Sequence, residues 1–154
     1  MSRPPRFRRF SYRGRYRYLL TFCTIHRAPV FEDSGVVRNA LIQIRLTARV
    51  EHFAILAYCF MPDHVHLLVE GLNEQSDLRR FAKMSKQRSG AAHALSRKSR
   101  LWQEGYWEKV LRWDEDPRRV VQYILENPVR ASLARTAREY PFVGSDVWDL
   151  ADLL

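Results

Sequence analysis

Residues 53–60 are apolar without a break, and Met61-Pro62-Asp63 interrupts the run before residues 64–70 begin to alternate. This feature constrains the fold most. An unbroken apolar run of that length reads as a strand buried on both sides, and it is too short for a membrane span. Proline and aspartate then supply a tight connection. In the segment that follows, His64, His66, Leu68 and Glu70 share one strand face, and Val65, Leu67 and Val69 share the other. Two adjacent strands joined this closely are expected to pair antiparallel.

The neighbouring segments fit around that hairpin. Residues 16–24 are rich in aromatic and β-branched side chains and predict a strand. Glu32 to Gly35 reads as a turn and helix start. Val37, Leu41, Ile44 and Ala48 then recur at helical spacing, giving a helix to about Glu51. Asn73 to Ser76 offers caps for a basic helix reaching about Ser96. Residues 106–112 predict a fourth strand. Asp116 followed by Pro117 starts a last helix, expected to run to Asn127 and stop at Pro128, with a short helical piece at 129–134. The order strand, helix, strand, strand, helix, strand, helix is the α+β, ferredoxin-like pattern: an antiparallel sheet with helices on one face, plus an added C-terminal helix. The expected organisation is a flexible basic arm at 1–15, one domain at 16–134 and an irregular acidic tail at 135–154.

Charge is distributed unevenly. The formal net charge is +9, no acidic residue precedes Glu32, and residues 79–100 contain no acid. Arginine dominates over lysine, which suits planar contacts to phosphate. Arg13, Arg15, Arg17, Arg79, Arg80, Lys83, Lys86, Arg88 and Arg119 are the candidate contacts to a nucleic-acid backbone. Phe7, Phe10, Tyr12, Tyr16 and Tyr18 interleave with the first arginines and offer rings that can stack on unpaired bases. The alternative is a solvated basic surface. Cys23 and Cys59 sit in apolar runs and read as buried free thiols, so a reducing cytoplasm is the default location. The start lacks the apolar stretch of a secretory signal, although its arginines are also compatible with a mitochondrial address.

His64 and His66 stand roughly 7 Å apart along the strand backbone on the same side. That spacing lets both imidazoles converge on one ion. The alternative is one core and one surface histidine. In the last helix, Val120, Val121, Ile124 and Leu125 define the apolar face, and Tyr123 lies about 130° from its centre. Arg119, Tyr123 and Asn127 form a polar stripe at four-residue spacing. If that stripe faces the histidines, it brings a guanidinium, a phenol and a carboxamide to one site. Alternatively, Tyr123 is an amphipathic surface residue and Asn127 a helix end before Pro128. His26, His52 and His93 read as structural or surface residues. Trp102, Trp107 and Trp113 surround the fourth strand, and packing is expected for at least two of them.

Three segments carry a resemblance: residues 58–69, Leu101-Trp102-Gln103, and residues 123–131. In this order, they are similar to the REP-associated tyrosine transposases among the single-tyrosine HUH transposases, and the resemblance covers residues 16–133. It implies a ferredoxin-like palm. It also implies that His64 and His66 are metal ligands, that Tyr123 is the nucleophile on a catalytic C-terminal helix, and that Asn127 gives a third metal contact. The implied cofactor is Mg2+ or Mn2+. The implied partner is single-stranded DNA that folds into hairpins, handled by a monomer or a homodimer. Asp63 stands where asparagine is common in the family, and Glu108-Lys109 where Asp-His is frequent. The implied reaction is attack by Tyr123 on a DNA phosphodiester, giving a 5′-phosphotyrosine that a 3′-hydroxyl can later reverse. Two rivals remain: a non-catalytic single-stranded nucleic-acid-binding regulator on the same sheet, and a metal-dependent nuclease that uses water.

Overall fold

The strand and helix order follows the hydrophobic pattern closely. β1 is Arg17–Cys23, α1 Ser34–Glu51, β2 Phe53–Met61, β3 His64–Gly71, α2 Leu78–Arg97 and β4 Trp107–Val110. After these come α3 (Pro117–Leu125), α4 (Asn127–Arg130), β5 (Val143–Gly144) and α5 (Leu150–Leu153). These elements come from a computed structural model that describes residues 10–112 and 114–154. Most of the basic arm, including Phe7, lies outside the described residues, as does Trp113. Among the described residues, no helix is long and apolar enough to cross a membrane.

The strands form one sheet in the order β4-β1-β3-β2-β5, and every pairing is antiparallel. The hairpin inferred from the apolar run is present, with Met61 opposite His64 across the Pro62-Asp63 loop. That loop is anchored from outside. The Thr24 amide donates to the Asp63 carbonyl at 3.0 Å, and the Phe31 amide donates to the Pro62 carbonyl at 3.0 Å. The hairpin end therefore cannot splay without breaking two backbone hydrogen bonds.

Each face of the sheet has its own core. On one side, Tyr18, Leu20, Phe22, Val65, Leu67 and Val69 pack against the buried stripes of α1 and α2. On the other, Leu68, Cys59 and Met61 pack with Val121, Ile124 and Leu125 of α3 and Leu153 of α5. A bulge between Ile55 and Ala57 turns Leu56 and Ala57 toward the same side, so β2 feeds the second core with adjacent residues. Helices α1 and α2 thus cover one face, and α3 covers part of the opposite one.

Aspartates cap the long helices, and for α2 the cap is Asp77 instead of the expected Asn73–Ser76 segment, whose Ser76 hydroxyl serves the Leu72 and Asn73 amides. The Asp33, Asp77 and Asp116 side chains accept from the Gly35, Arg80 and Arg118 amides, and Pro117 occupies the first turn of α3. Other boundaries differ from the sequence reading. β4 is shorter than 106–112, although the Leu111 amide still donates to the Arg17 carbonyl at 2.9 Å while its side chain packs into the second core. α3 ends at Leu125 instead of Asn127, and the short helix begins at Asn127 instead of residue 129. A proline two residues after Glu126 takes away an amide donor, and the chain re-enters helix with Pro128 in its first turn.

The acidic tail is not irregular throughout. β5 pairs with β2, the Tyr140 hydroxyl donates to the Phe60 carbonyl at 2.6 Å, and Leu153 is buried beside α3. Arg45 and Asp146 are joined by a bidentate ion pair whose shortest contact is 2.7 Å. Residues 10–15 are likewise packed in part, since Tyr12 is buried and Phe10 meets both Tyr12 and Tyr16 edge-on.

Candidate active site

Residues paired across antiparallel strands share a face, so the register of β3 fixes the surroundings of the two histidines. His66 lies opposite Thr21 of β1 and Cys59 of β2; His64 lies opposite Cys23 and Met61. This is the face that α3 covers. The helix carrying Tyr123 therefore packs on the same side of the sheet as the imidazoles, through Val121, Ile124 and Leu125.

The two imidazoles converge. The Nε2 atoms of His64 and His66 are 3.2 Å apart. Two nitrogens bound to one ion at about 2.1 Å are separated by about 3.0–3.4 Å for right-angled to tetrahedral geometry. The spacing therefore fits a shared cation. The opposite ring nitrogens are both engaged: His64 Nδ1 meets Asp63 Oδ1 at 2.7 Å, and His66 Nδ1 meets Thr21 Oγ1 at 2.9 Å. Nδ1 anchored and Nε2 projecting is how histidine ligands are usually oriented.

Electrostatics suit a neutral ligand at His66. Burial, then the neighbouring His64 and Arg130, lowers its pKa to about 4. Burial pushes the Cys59 thiol beside it up to about 12, so Cys59 remains a neutral S–H across the physiological range. Asp63 is held below the usual carboxylate value: burial opposes ionisation, but the His64 and Arg27 hydrogen bonds outweigh it. The Arg27 Nε donates to Asp63 Oδ2 at 2.9 Å.

Among the described residues, no group of three or more His, Cys, Asp and Glu side chains gathers around a common point. The histidine pair would need oxygen donors from elsewhere to complete a divalent-ion site. Asn127, half-buried at the start of α4, is the candidate from this chain. Its carboxamide makes no hydrogen bond to a described residue.

Tyr123 is 62% exposed, so its phenol is not part of either core. One contact defines its position. The Arg130 guanidinium lies 3.8 Å from the ring centroid, and the same side chain donates to the Tyr123 carbonyl at 2.6 Å. The positive charge of Arg130 also reaches the sheet, adding to the lowering at His66 and opposing the rise that burial causes at Cys59. Sequence reasoning gave Arg130 no role, although it falls seven residues after Tyr123, two turns on, within a segment already singled out. Thr21 was also missed. The available signal was the antiparallel pairing of 16–24 with 64–70, but its register is not readable from sequence.

The candidate DNA contacts separate into groups. Arg79, Arg80, Lys83, Lys86 and Arg88 belong to α2, on the face opposite the histidines. Several cationic heads have partners within the fold. Arg80 pairs with Glu51 at 3.0 Å, Arg17 with Glu70, and Arg13 with Asp77 at 3.6 Å. Lys86 donates to the carbonyls of Gln103, at 2.8 Å, and Gly105. Arg79 lies 4.7 Å over the Tyr12 ring. Arg15, Lys83, Arg88 and Arg119 have no such partner among the described residues. The aromatics proposed to stack on bases are mostly spent on packing: Tyr12 and Tyr18 are buried, while Tyr16 keeps 39% exposure. Trp102 is buried and donates to Ser89 Oγ at 2.9 Å, and His93 is buried near Ser99, so both are structural.

Known proteins are similar to this chain. An Escherichia coli K12 protein, a REP-associated tyrosine transposase, is 32% identical over 110 residues, covering 70% of this chain and 61% of its own. A Haemophilus influenzae relative is 29% identical over 103 residues, covering 58% of this chain and 57% of its own. The chain thus spans about three fifths of the length of these relatives. A solved REP-associated tyrosine transposase bound to a REP hairpin shares the fold, with a TM-score of 0.70 at 24% identity over 91% of this chain and 82% of that one. The family model described as "Transposase IS200 like" matches residues 13–127, spanning the histidine pair, Tyr123 and Asn127, and the chain belongs to that family.

Proposed function

We propose that the protein is a transposase that cleaves and rejoins single-stranded DNA through Tyr123, assisted by a divalent ion on His64 and His66. The observation that carries this reading is the 3.2 Å convergence of the two Nε2 atoms on the face that α3 shares. Asn127 would complete the protein's donor set. When bound, the ion neutralises the scissile phosphate and orients it. Mn2+ and Mg2+ are the cofactors to test; imidazole donors favour Mn2+ over the strongly oxygen-seeking Mg2+.

The chain's own residues divide the remaining work. The Tyr123 oxygen attacks phosphorus, a new P–O bond forms, and the 3′ oxygen leaves with the bonding pair. The product is a 5′-phosphotyrosine, which preserves the linkage energy for attack by another 3′-hydroxyl. Arg130, against the Tyr123 ring, restricts the phenol to few orientations and places positive charge beside it. Arg15 and Arg119, without a partner among the described residues, are the cations proposed to contact the DNA backbone on this side, and Arg17 could do so only in competition with Glu70. The α2 cations sit across the sheet, and contacts there hold DNA without touching the chemistry. The substrate is hairpin-forming single-stranded DNA, as the hairpin bound to the structural relative supports, and the active unit is a monomer or a homodimer.

A direct test incubates labelled hairpin-bearing single strands with the protein and Mn2+, followed by denaturing electrophoresis. A covalent protein–DNA band that disappears with Tyr123→Phe supports the reading. Cleavage that survives Tyr123→Phe without a covalent band transfers the attack to water. Binding with neither cleavage nor adduct leaves a non-catalytic regulator.

A further inference from the structure

Although both histidines have an occupied Nδ1, their partners are chemically unequal. His66 meets a threonine hydroxyl, which rotates and can either donate or accept. His64 Nδ1 meets Asp63 Oδ1 at 2.7 Å, and the other oxygen of that carboxylate accepts from Arg27 Nε at 2.9 Å. A carboxylate paired with a guanidinium in this way serves as an acceptor. His64 Nδ1 must therefore carry the hydrogen, and the neutral ring has its lone pair on Nε2, facing His66. If Thr21 donates to its Nδ1, His66 carries its hydrogen on Nε2, facing His64. To hold a cation, the pair would need Thr21 to accept from His66 Nδ1, which would leave both Nε2 lone pairs free for the ion. One histidine is fixed and the other is adjustable.

The fixing element is itself held rigidly. The Asp63 carbonyl is bonded by both the Thr24 amide and the Thr24 hydroxyl at 3.0 Å, which pins the hairpin loop from β1. Arg27 approaches from a turn in which His26 and Arg27 both adopt left-handed backbone angles, φ 55° and 53°. Two consecutive non-glycine residues in that region are costly, and the surrounding fold must impose them. The turn delivers the Arg27 Nε to Asp63 Oδ2 and its Nη1 to Cys23 Sγ at 3.0 Å.

From this geometry we infer that Asp63 is a positioning residue for the metal site. It locks His64 in the tautomer and orientation that present Nε2, and it thereby sets the affinity for the divalent ion. This inference rests on the metal reading of the histidine pair, and the experiment separates the two. Mn2+ binding is measured by calorimetry for the wild type, Asp63→Asn, Asp63→Ala and His64→Ala. Long-range 1H–15N NMR of the ion-free protein reports the His64 tautomer, independently of any activity. Asp63→Ala is expected to weaken Mn2+ binding by about 10–100-fold and to give a mixture of His64 tautomers. Asp63→Asn, which keeps an acceptor oxygen but loses the charge, should fall between it and the wild type and guards against a loop that fails to fold. His64→Ala should abolish binding. Wild-type affinity and a pure Nδ1–H tautomer in both Asp63 variants, with binding lost only in His64→Ala, overturn the role of Asp63 alone. Undiminished binding in His64→Ala removes the metal site itself, and the inference with it.

Discussion

The guanidinium of Arg130 stacks on the ring of Tyr123, 3.8 Å from its centroid, and bonds the carbonyl of the same residue at 2.6 Å. Both ends of the tyrosine are therefore held by one side chain from the next short helix. Arg130→Ala should slow single-turnover adduct formation by roughly tenfold or more while leaving DNA affinity within about twofold, because it frees the phenol's orientation without removing the nucleophile. Arg130→Lys should rescue little, since an ammonium lacks the planar stack. Rapid-quench measurement of the adduct rate alongside filter binding checks both expectations. A loss confined to affinity would reassign Arg130 to phosphate binding.

The depressed pKa of His66 gives the ion-free protein an acid-sensitive stability. The unfolded imidazole takes up its proton near 6.5, and the folded one only near about 4. Between those values the unfolded state binds more protons, so stability is fully present above about 6.5 and declines as pH falls toward about 4. The loss is at most about 3 kcal/mol. Urea denaturation in EDTA at pH 7.5 and pH 5 should show it, and His66→Leu should flatten that dependence.

The basic residues should divide by what holds them. Lys83→Gln and Arg88→Gln, whose cationic heads have no partner among the described residues, are expected to weaken single-stranded DNA binding. Each should reduce the slope of log K against log salt by about 0.7 for every phosphate that the variant no longer neutralises, with stability unchanged. Lys86→Met should instead destabilise the fold by about 1–3 kcal/mol, because it strips the ammonium from the Gln103 and Gly105 carbonyls. Salt titrations of binding and denaturant midpoints separate these classes.

Close approach makes one glycine indispensable. A Cβ on Gly71 would lie 2.0 Å from the backbone oxygen of Gly14, at the end of β3. Neither backbone can yield without disturbing the junction between the arm and the sheet, where the Gly71 amide also donates to the Tyr16 carbonyl at 2.9 Å. Gly71→Ala should cost about 1–3 kcal/mol, measured by urea denaturation.

The hairpin, both long helices and the alternation that places His64 and His66 together were legible because they depend on local period and on short-range turn chemistry. The bulge at Leu56 was not, since an unbroken apolar run carries no phase that would betray an extra residue. Strand β5 was not legible either: Val143 and Gly144 make too short a segment, and only the edge of β2 gives them a partner. The basic residues were identified by charge, but ion pairs such as Arg80–Glu51 depend on the α1–α2 docking that the sequence does not spell out. The same holds for Thr21 and Arg130, whose roles arise from register and from a helix break.

The most direct measurement is peptide mapping of the covalent product. The protein is reacted with hairpin single strands and Mn2+, trimmed with nuclease, digested, and read by tandem mass spectrometry. The account predicts a nucleotide phosphate on the peptide containing Tyr123, attached at that residue. A modification on another tyrosine, or cleaved DNA with no modified peptide, would contradict it.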